Sequence, residues 1–275
     1  MPLSAVALLP HSPLLVPEIG RANYEFLSKT VAAYETFATI LEQAEVETLI
    51  IVTPHGQRTE NEFIINVAPE MFPDFKTFGF IPSPMPISGD AILADQIKNS
   101  LRPDFPIYLI AQPELDYGSG VPLYILKKRL PQIKTLIISP AEGLSLANQA
   151  AFGSKLASVI AQRNKKIALI ASGDLSNRLK KKSPGGYSPK GAKFDNRLIE
   201  LISAGPSGSA NILALDERLA KDAGECGLKP LAVSLGLISD LEWTPEILAY
   251  QTDFGIGYLS AIFHLPLTEA PLATS

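Results

Sequence analysis

Short runs of consecutive apolar residues alternate along this chain with longer stretches whose apolar positions recur every three or four residues. The short runs are rich in Val, Ile and Leu, which marks strands covered on both faces. They place strands at about 3–9, 47–53, 62–67, 106–111, 134–139, 166–171 and 254–263. The longer stretches have helical spacing at about 22–43, 90–101, 121–130, 144–163, 190–203, 213–221 and 227–238. Asp90, after Gly89, stands where it would cap the second helix. This alternation predicts one α/β domain over 1–265, a central mostly parallel or mixed sheet flanked by helices on both faces. A mixed sheet is expected because 62–67 and 247–263 lack the usual intervening helices. Residues 266–275 are expected to form a flexible tail.

Two loops interrupt the rhythm. Pro82, Pro84 and Pro86 alternate with other residues, so 81–87 should run extended. The stretch 180–191 holds Pro184, Gly185, Gly186 and Pro189 directly after a strand, the place and length of a lid.

Composition narrows the class. A hydrophobic content of 46% against 19% charged residues excludes a disordered chain. A net charge of −4 gives no reason to expect nucleic acid or an anionic membrane as partner. The one basic cluster, Arg178 with Lys180, Lys181 and Lys182, lacks interleaved aromatics and reads as a solvated loop. No apolar run approaches the ~18 residues of a membrane span, and the N-terminus has no basic leader. A lone cysteine, Cys226, excludes a disulfide framework or a multi-cysteine zinc cluster. Together these predict a reduced, cytoplasmic protein.

Candidate chemistry lies where strands end. Two of the three histidines occupy matching positions, in Leu9-Pro10-His11-Ser12-Pro13 and Val52-Thr53-Pro54-His55-Gly56. Each follows an apolar strand at its carboxyl end, the edge where open α/β sheets build sites. Two imidazoles there are half of a metal site. His264, ending a strand-like run near the C-terminus, is a poor third ligand, which leaves the carboxylates Asp174, Asp195 and Glu225. Glu225, between Gly224 and Cys226-Gly227, precedes an apolar helix, so the residues alone leave ligand and helix cap equally open. Two histidines and one carboxylate suit Fe(II) with positions left for substrate and O2. Hydrolytic Zn(II) uses the same set. Cys226 itself reads as a small buried hydrophobe.

Taken in order, five stretches resemble the class III extradiol ring-cleavage dioxygenase catalytic-subunit (LigB-like) family, to which Memo-type proteins are related. They are Leu9-Pro10-His11-Ser12-Pro13, Thr53-Pro54-His55-Gly56, the 115–123 segment from Leu115 to Leu123, the 171–179 segment from Ala171 to Leu179, and Gly224-Glu225-Cys226-Gly227. The resemblance spans about 3–264. It implies His11, His55 and Glu225 as iron ligands, and Fe(II)-dependent cleavage of a catecholic ring with O2. A homodimer is expected on the same ground.

The acid–base residues depart from the family pattern. Asn177 stands where relatives carry a catalytic histidine, and Tyr117 where many carry another. Asn does not titrate near neutral pH, and Tyr at about 10 is a poor base. Loss of such a group commonly removes ~10²–10⁴-fold in rate. Asp174 is expected to orient a ligand or cap a turn beside the metal. Restoring the base through Asn177→His is then expected to raise ring cleavage. The readings are an extradiol dioxygenase using Asn177, Tyr117 and Asp174, a metal-binding protein of the same fold without ring cleavage, and a Zn(II) hydrolase.

Overall fold

The computed structural model describes residues 2–266; the tail expected from 266 onward therefore lies, Pro266 apart, outside the described residues. Eleven strands form, β1 (Leu3–Leu9), β2 (Thr48–Val52), β3 (Phe63–Asn66), β4 (Glu70–Pro73), β5 (Ile87–Ser88), β6 (Ile107–Ile110), β7 (Glu114–Leu115), β8 (Lys134–Ser139), β9 (Ile167–Ser172), β10 (Thr244–Gln251) and β11 (Tyr258–His264). The helices are α1 (Pro17–Gly20), α2 (Ser28–Gln43), α3 (Ala91–Leu101), α4 (Tyr117–Leu126), α5 (Leu146–Ala161), α6 (Pro189–Ser203), α7 (Pro206–Leu213), α8 (Glu217–Ala223) and α9 (Leu228–Leu237).

Eight strands make one mixed sheet in the order β10-β11-β1-β9-β2-β8-β3-β6, and β5-β4-β7 make a small second sheet. The order decides where chemistry can sit. β9 lies between β1 and β2 and runs parallel to both, with Leu9 opposite Ser172 and Val52 opposite Ala171. Segments 43 and more residues apart in sequence, Leu9 and Val52 being the nearest pair, therefore end side by side at one edge.

Alternation along the strands divides the core. Val6, Leu8, Ile50, Val52, Leu169 and Ala171 face a layer that includes Phe152 and Leu156 of α5 and Leu231 and Leu235 of α9. Ala5, Ala7, Leu9, Leu49, Ile51 and Ile170 face the other side, against Tyr34 and Phe37 of α2 and Val121 of α4. Both faces of the sheet are thus covered, as the unbroken apolar runs of the central strands require. Phe63 of β3 stacks on Phe152 at 3.8 Å, tying the sheet to α5.

Several boundaries differ from the sequence reading for local reasons. α4 begins at Tyr117 rather than 121, because Asp116 accepts from the Ser119 N–H and caps it, with Pro122 inside the helix. α7, opened by Gly205 and Pro206, was hidden between the two helices predicted around it. β10 was missed because only Ala249 of it is buried, so it shows no apolar run; it pairs antiparallel with β11 at the sheet edge. The 80–86 stretch carries no helix or strand, as its prolines dictate.

Candidate metal centre

His11 enters the site two residues past the end of β1, and its position is fixed at three points. Its N–H donates to Asp174 Oδ1 at 3.1 Å, its Nδ1 lies 2.9 Å from Ser172 Oγ, and the preceding carbonyl of Pro10 accepts from Tyr34 Oη at 2.6 Å. Ser172 Oγ also donates to the Gly118 carbonyl, which can only accept. The hydroxyl proton is therefore committed, and His11 must be the donor at Nδ1. A neutral His11 then presents a bare Nε2 lone pair to the interior, the state a metal requires. Burial, and next the neighbouring His55, hold its pKa well below the usual range, so it stays neutral.

His55 arrives from the end of β2. Thr53 Oγ1 accepts its N–H at 3.3 Å and donates to Asp116 Oδ1 at 2.7 Å, tying the turn to the cap of α4. The two Nε2 atoms face one another at 3.1 Å. Tyr117 stacks on His55 with centroids 4.3 Å apart, and its hydroxyl lies 2.8 Å from His55 Nε2. Burial pushes the Tyr117 hydroxyl further above its ordinary range, so it serves as a donor and not a base.

A sulfur offers a candidate third donor atom. Cys226 Sγ lies 3.5 Å from His11 Nε2, and one ligand atom each from His11, His55 and Cys226 fall within 4.8 Å of one another. A backbone contact brings the cysteine in. The Asp174 carbonyl accepts N–H groups of both Cys226 and Gly227 at 3.1 Å. Gly173 packs so closely on Gly227 that a Cβ added at 173 would sit 2.1 Å from the Gly227 Cα. Burial, then the nearby Asp174 and Glu225, push the free thiol well above its usual range. It holds its proton until a cation displaces it.

The remaining predicted residues fall into different places. Asp174 stands beside the pair, its Oδ2 3.9 Å from His11 Nε2, and burial pushes its carboxyl up to about 7. Glu225 is adjacent in the wall, but its Oε2 accepts from the Leu228 N–H at 2.7 Å and caps α9. Burial raises it also to about 7. Cys226 Sγ is thus the donor atom that lies within reach of both histidines, while Glu225, expected as the third ligand, lines the small pocket beside His55 and Cys226 with its Oε2 on the Leu228 N–H. Asn177 lies against Gly185 and Gly224, with no hydrogen-bond partner for its buried Oδ1. Its Oδ1 is wedged where Gly185 and Gly224 lack a Cβ, 2.2 and 2.4 Å from those missing positions. Asp195 is buried in α6, accepting from Tyr250 Oη at 2.7 Å and Ser176 N–H at 2.9 Å. His264 pairs on the surface with Glu246 at 2.6 Å.

The 180–191 loop is tied down by hydrogen bonds of Ser183. Ser183 Oγ donates to the Gly255 carbonyl at 2.7 Å and accepts from the Lys180 N–H at 2.8 Å, pinning it to the 252–257 turn. A cleft of about 510 Å³ opens beside His55 and Tyr117, walled by Phe78, Asp74, Glu114 and Ser139. A pocket of about 150 Å³ on another side is lined by Arg58, Glu142, Glu225, Cys226 and Lys229.

Sequence reasoning missed Cys226 as a candidate donor and Ser172 as the residue that sets the His11 tautomer. Both stood inside the quoted motifs, one place from Glu225 and two from Asp174. The donor set fits a single divalent ion, since two neutral imidazoles and one thiol converge with their lone pairs free or releasable.

Protein CA_C1420 of Clostridium acetobutylicum is 31% identical over 268 residues, covering 94% of this chain. The chain spans 57% of that protein's length. The crystal structure of the uncharacterized protein JW3007 from Escherichia coli K12 superposes with a TM-score of 0.67, over 95% of this chain and 99% of that one. At 16% identity, it shows the shared fold alone. Residues 5–261 match the family described as the catalytic LigB subunit of aromatic ring-opening dioxygenase, and the chain belongs to that family.

Proposed function

We propose that this protein binds one divalent metal ion through His11, His55 and Cys226, and that it works as a LigB-type metal protein not equipped for ordinary extradiol ring cleavage. The observation that carries this is the convergence of two imidazole nitrogens and one sulfur within 4.8 Å. Bound there, a divalent ion would supply Lewis acidity and, for iron, a one-electron couple.

The chain's own residues set the rest. Ser172 holds His11 in the tautomer with a free Nε2. Tyr117 braces His55 by stacking and offers its hydroxyl as a donor. Asp174 fixes the His11 backbone, and burial raises its carboxyl, like that of Glu225, to about 7. Asn177, held between Gly185 and Gly224, leaves the position of the family's catalytic base without a proton shuttle.

Cobalt(II) titration of the metal-stripped protein tests this reading. A thiolate-to-metal charge-transfer band is expected in the wild type and in Glu225→Gln, and it should vanish in Cys226→Ser. His55→Ala should lower affinity at least ~10-fold, as expected when a ligand is removed. No band in the wild type, or loss of binding in Glu225→Gln with Cys226→Ser unaffected, would return the third position to Glu225.

The dioxygenase reading is favoured by a different observation, the cleft of about 510 Å³ against His55, large enough for a substituted ring. Oxygen uptake by Fe(II)-loaded protein with catechols present separates the two. Turnover abolished by His55→Ala would restore ring cleavage as the function.

A further inference from the structure

The basic cluster after β9 takes no part in the candidate metal centre. Residues 178–193 carry six of the chain's 24 lysines and arginines and no acid, while the other residues hold 18 against 28 acids. Lys180, Lys181, Lys182, Lys190 and Lys193 are exposed, and Arg178 is half-buried. None of the six makes an ion pair among the described residues. Asp253 and Asp222 touch the cluster through their neutral carbonyls, which accept from Lys180 Nζ at 3.1 Å and Arg178 Nη1 at 3.4 Å. α6 starts inside the same stretch, with Lys190 in its first turn and no acid there. The positive end of its dipole adds to the lysines.

Solvated as these cations are, their loop is held in one shape. The Gly185 N–H donates to the Asn177 carbonyl at 3.1 Å, the Gly186 N–H to that of Ser183 at 2.9 Å, and the Ser188 N–H to that of Arg178 at 2.9 Å. Gly186 turns the chain at a φ of 76°, and the next residue, Tyr187, is 60% exposed. Like charges gathered on one loop repel one another until a counter-charge arrives. A loop already ordered loses little entropy in meeting one. An exposed tyrosine among them is a residue type that anchors protein contacts. The loop also backs onto the candidate metal centre. Gly185 and Gly224 both pack against Asn177, and Gly224 directly precedes Glu225 and Cys226.

We propose that this loop is a docking surface for a short acidic segment of a partner protein, held by Lys180, Lys181, Lys182 and Lys190. The size and surroundings of the patch choose the partner. A long nucleic acid or a flat anionic bilayer extends past the loop and meets the rest of the chain, in which acids outnumber cations. A short acidic segment ends where the cations do. Docked there, it sits on the loop that backs the Glu225–Cys226 turn. The proposal does not depend on which residue completes the metal centre.

Fluorescence anisotropy with labelled decaglutamate tests it on the full chain at low salt. Decaglutamate should bind, and the complex should weaken as salt is added. Carbodiimide coupling of the bound peptide should join its carboxylates to Lys180, Lys181, Lys182 or Lys190. The charge reversal Lys181→Glu/Lys182→Glu should lower affinity at least ~10-fold, because like charges then face each other. Lys29→Glu/Lys166→Glu, an equal charge change at exposed positions elsewhere, should leave affinity nearly unchanged. The proposal is overturned if decaglutamate does not bind, if coupling maps mainly to other lysines, if the loop variant binds as well as wild type, or if the remote variant loses as much. Tighter binding of labelled decauridylate or of phosphatidylserine vesicles would also overturn it, in favour of a nucleic acid or a membrane.

Discussion

At the scale of single residues, hydrogen-bond bookkeeping says more about this site than residue identity. Ser172 has one proton and gives it to Gly118, so the His11 tautomer is fixed by a residue that never meets a metal. Ser172→Ala should leave the fold intact while freeing His11 to place its proton on Nε2. Metal affinity should fall roughly 10–100-fold, the usual cost of losing such a partner, as measured by competition with a chromophoric chelator. An unchanged affinity would mean that Asp174 and burial alone orient the ring. Glu225 behaves oppositely, for its carboxylate serves the helix it precedes. Glu225→Ala should cost about 0.5–2 kcal/mol in denaturant unfolding, the value of a lost cap.

Turns decide what the strands deliver. The loop after β9 and the turn before α9 touch through Gly173 and Gly227 with no side chain between them. Gly173→Ala must push the 225–227 turn outward. It should destabilise the protein by about 1–3 kcal/mol, as overpacking does, and weaken the cobalt–thiolate band before it changes the far-ultraviolet circular dichroism. Equal loss of both signals would show that the contact holds the fold and not the site. In the loop after β9, Asn177 fills space that two glycines leave open, so the larger ring in Asn177→His has no room there. The gain in ring cleavage expected from the sequence should therefore not appear, and the variant should be less stable than wild type by thermal unfolding.

For the whole molecule, one buried carboxyl links α6, β10 and the segment after β9. Asp195 accepts from Tyr250 and Ser176, yet burial outweighs both bonds and raises its carboxyl from 3.8 to about 6. Folding therefore favours the protonated form. Its contribution is fully present below the unfolded value near 4, is lost as pH rises to about 6, and is flat above that. Between those limits the difference is about 3 kcal/mol. Asp195→Asn keeps the shape and removes the titration. The stability difference between variant and wild type, by urea unfolding, should grow in favour of the variant from pH 4 to 6. A difference constant across that range would mean that Asp195 does not titrate there.

Much of this protein was determined by sequence alone, because its strongest signals are local. Unbroken apolar runs such as 48–52 and 134–139 are strands covered on both faces wherever the chain takes them. A proline and a histidine after two such runs already place both imidazoles at a carboxyl edge. Half-exposed β10 and the short α7 carry weak periodicity, and only packing reveals them. The proposed third donor is of the same kind. Nothing in Gly224-Glu225-Cys226-Gly227 says which side chain turns inward. Strand order decides that, by setting β9 between β1 and β2 and letting Gly173 meet Gly227, a contact between residues 54 apart that no local pattern encodes.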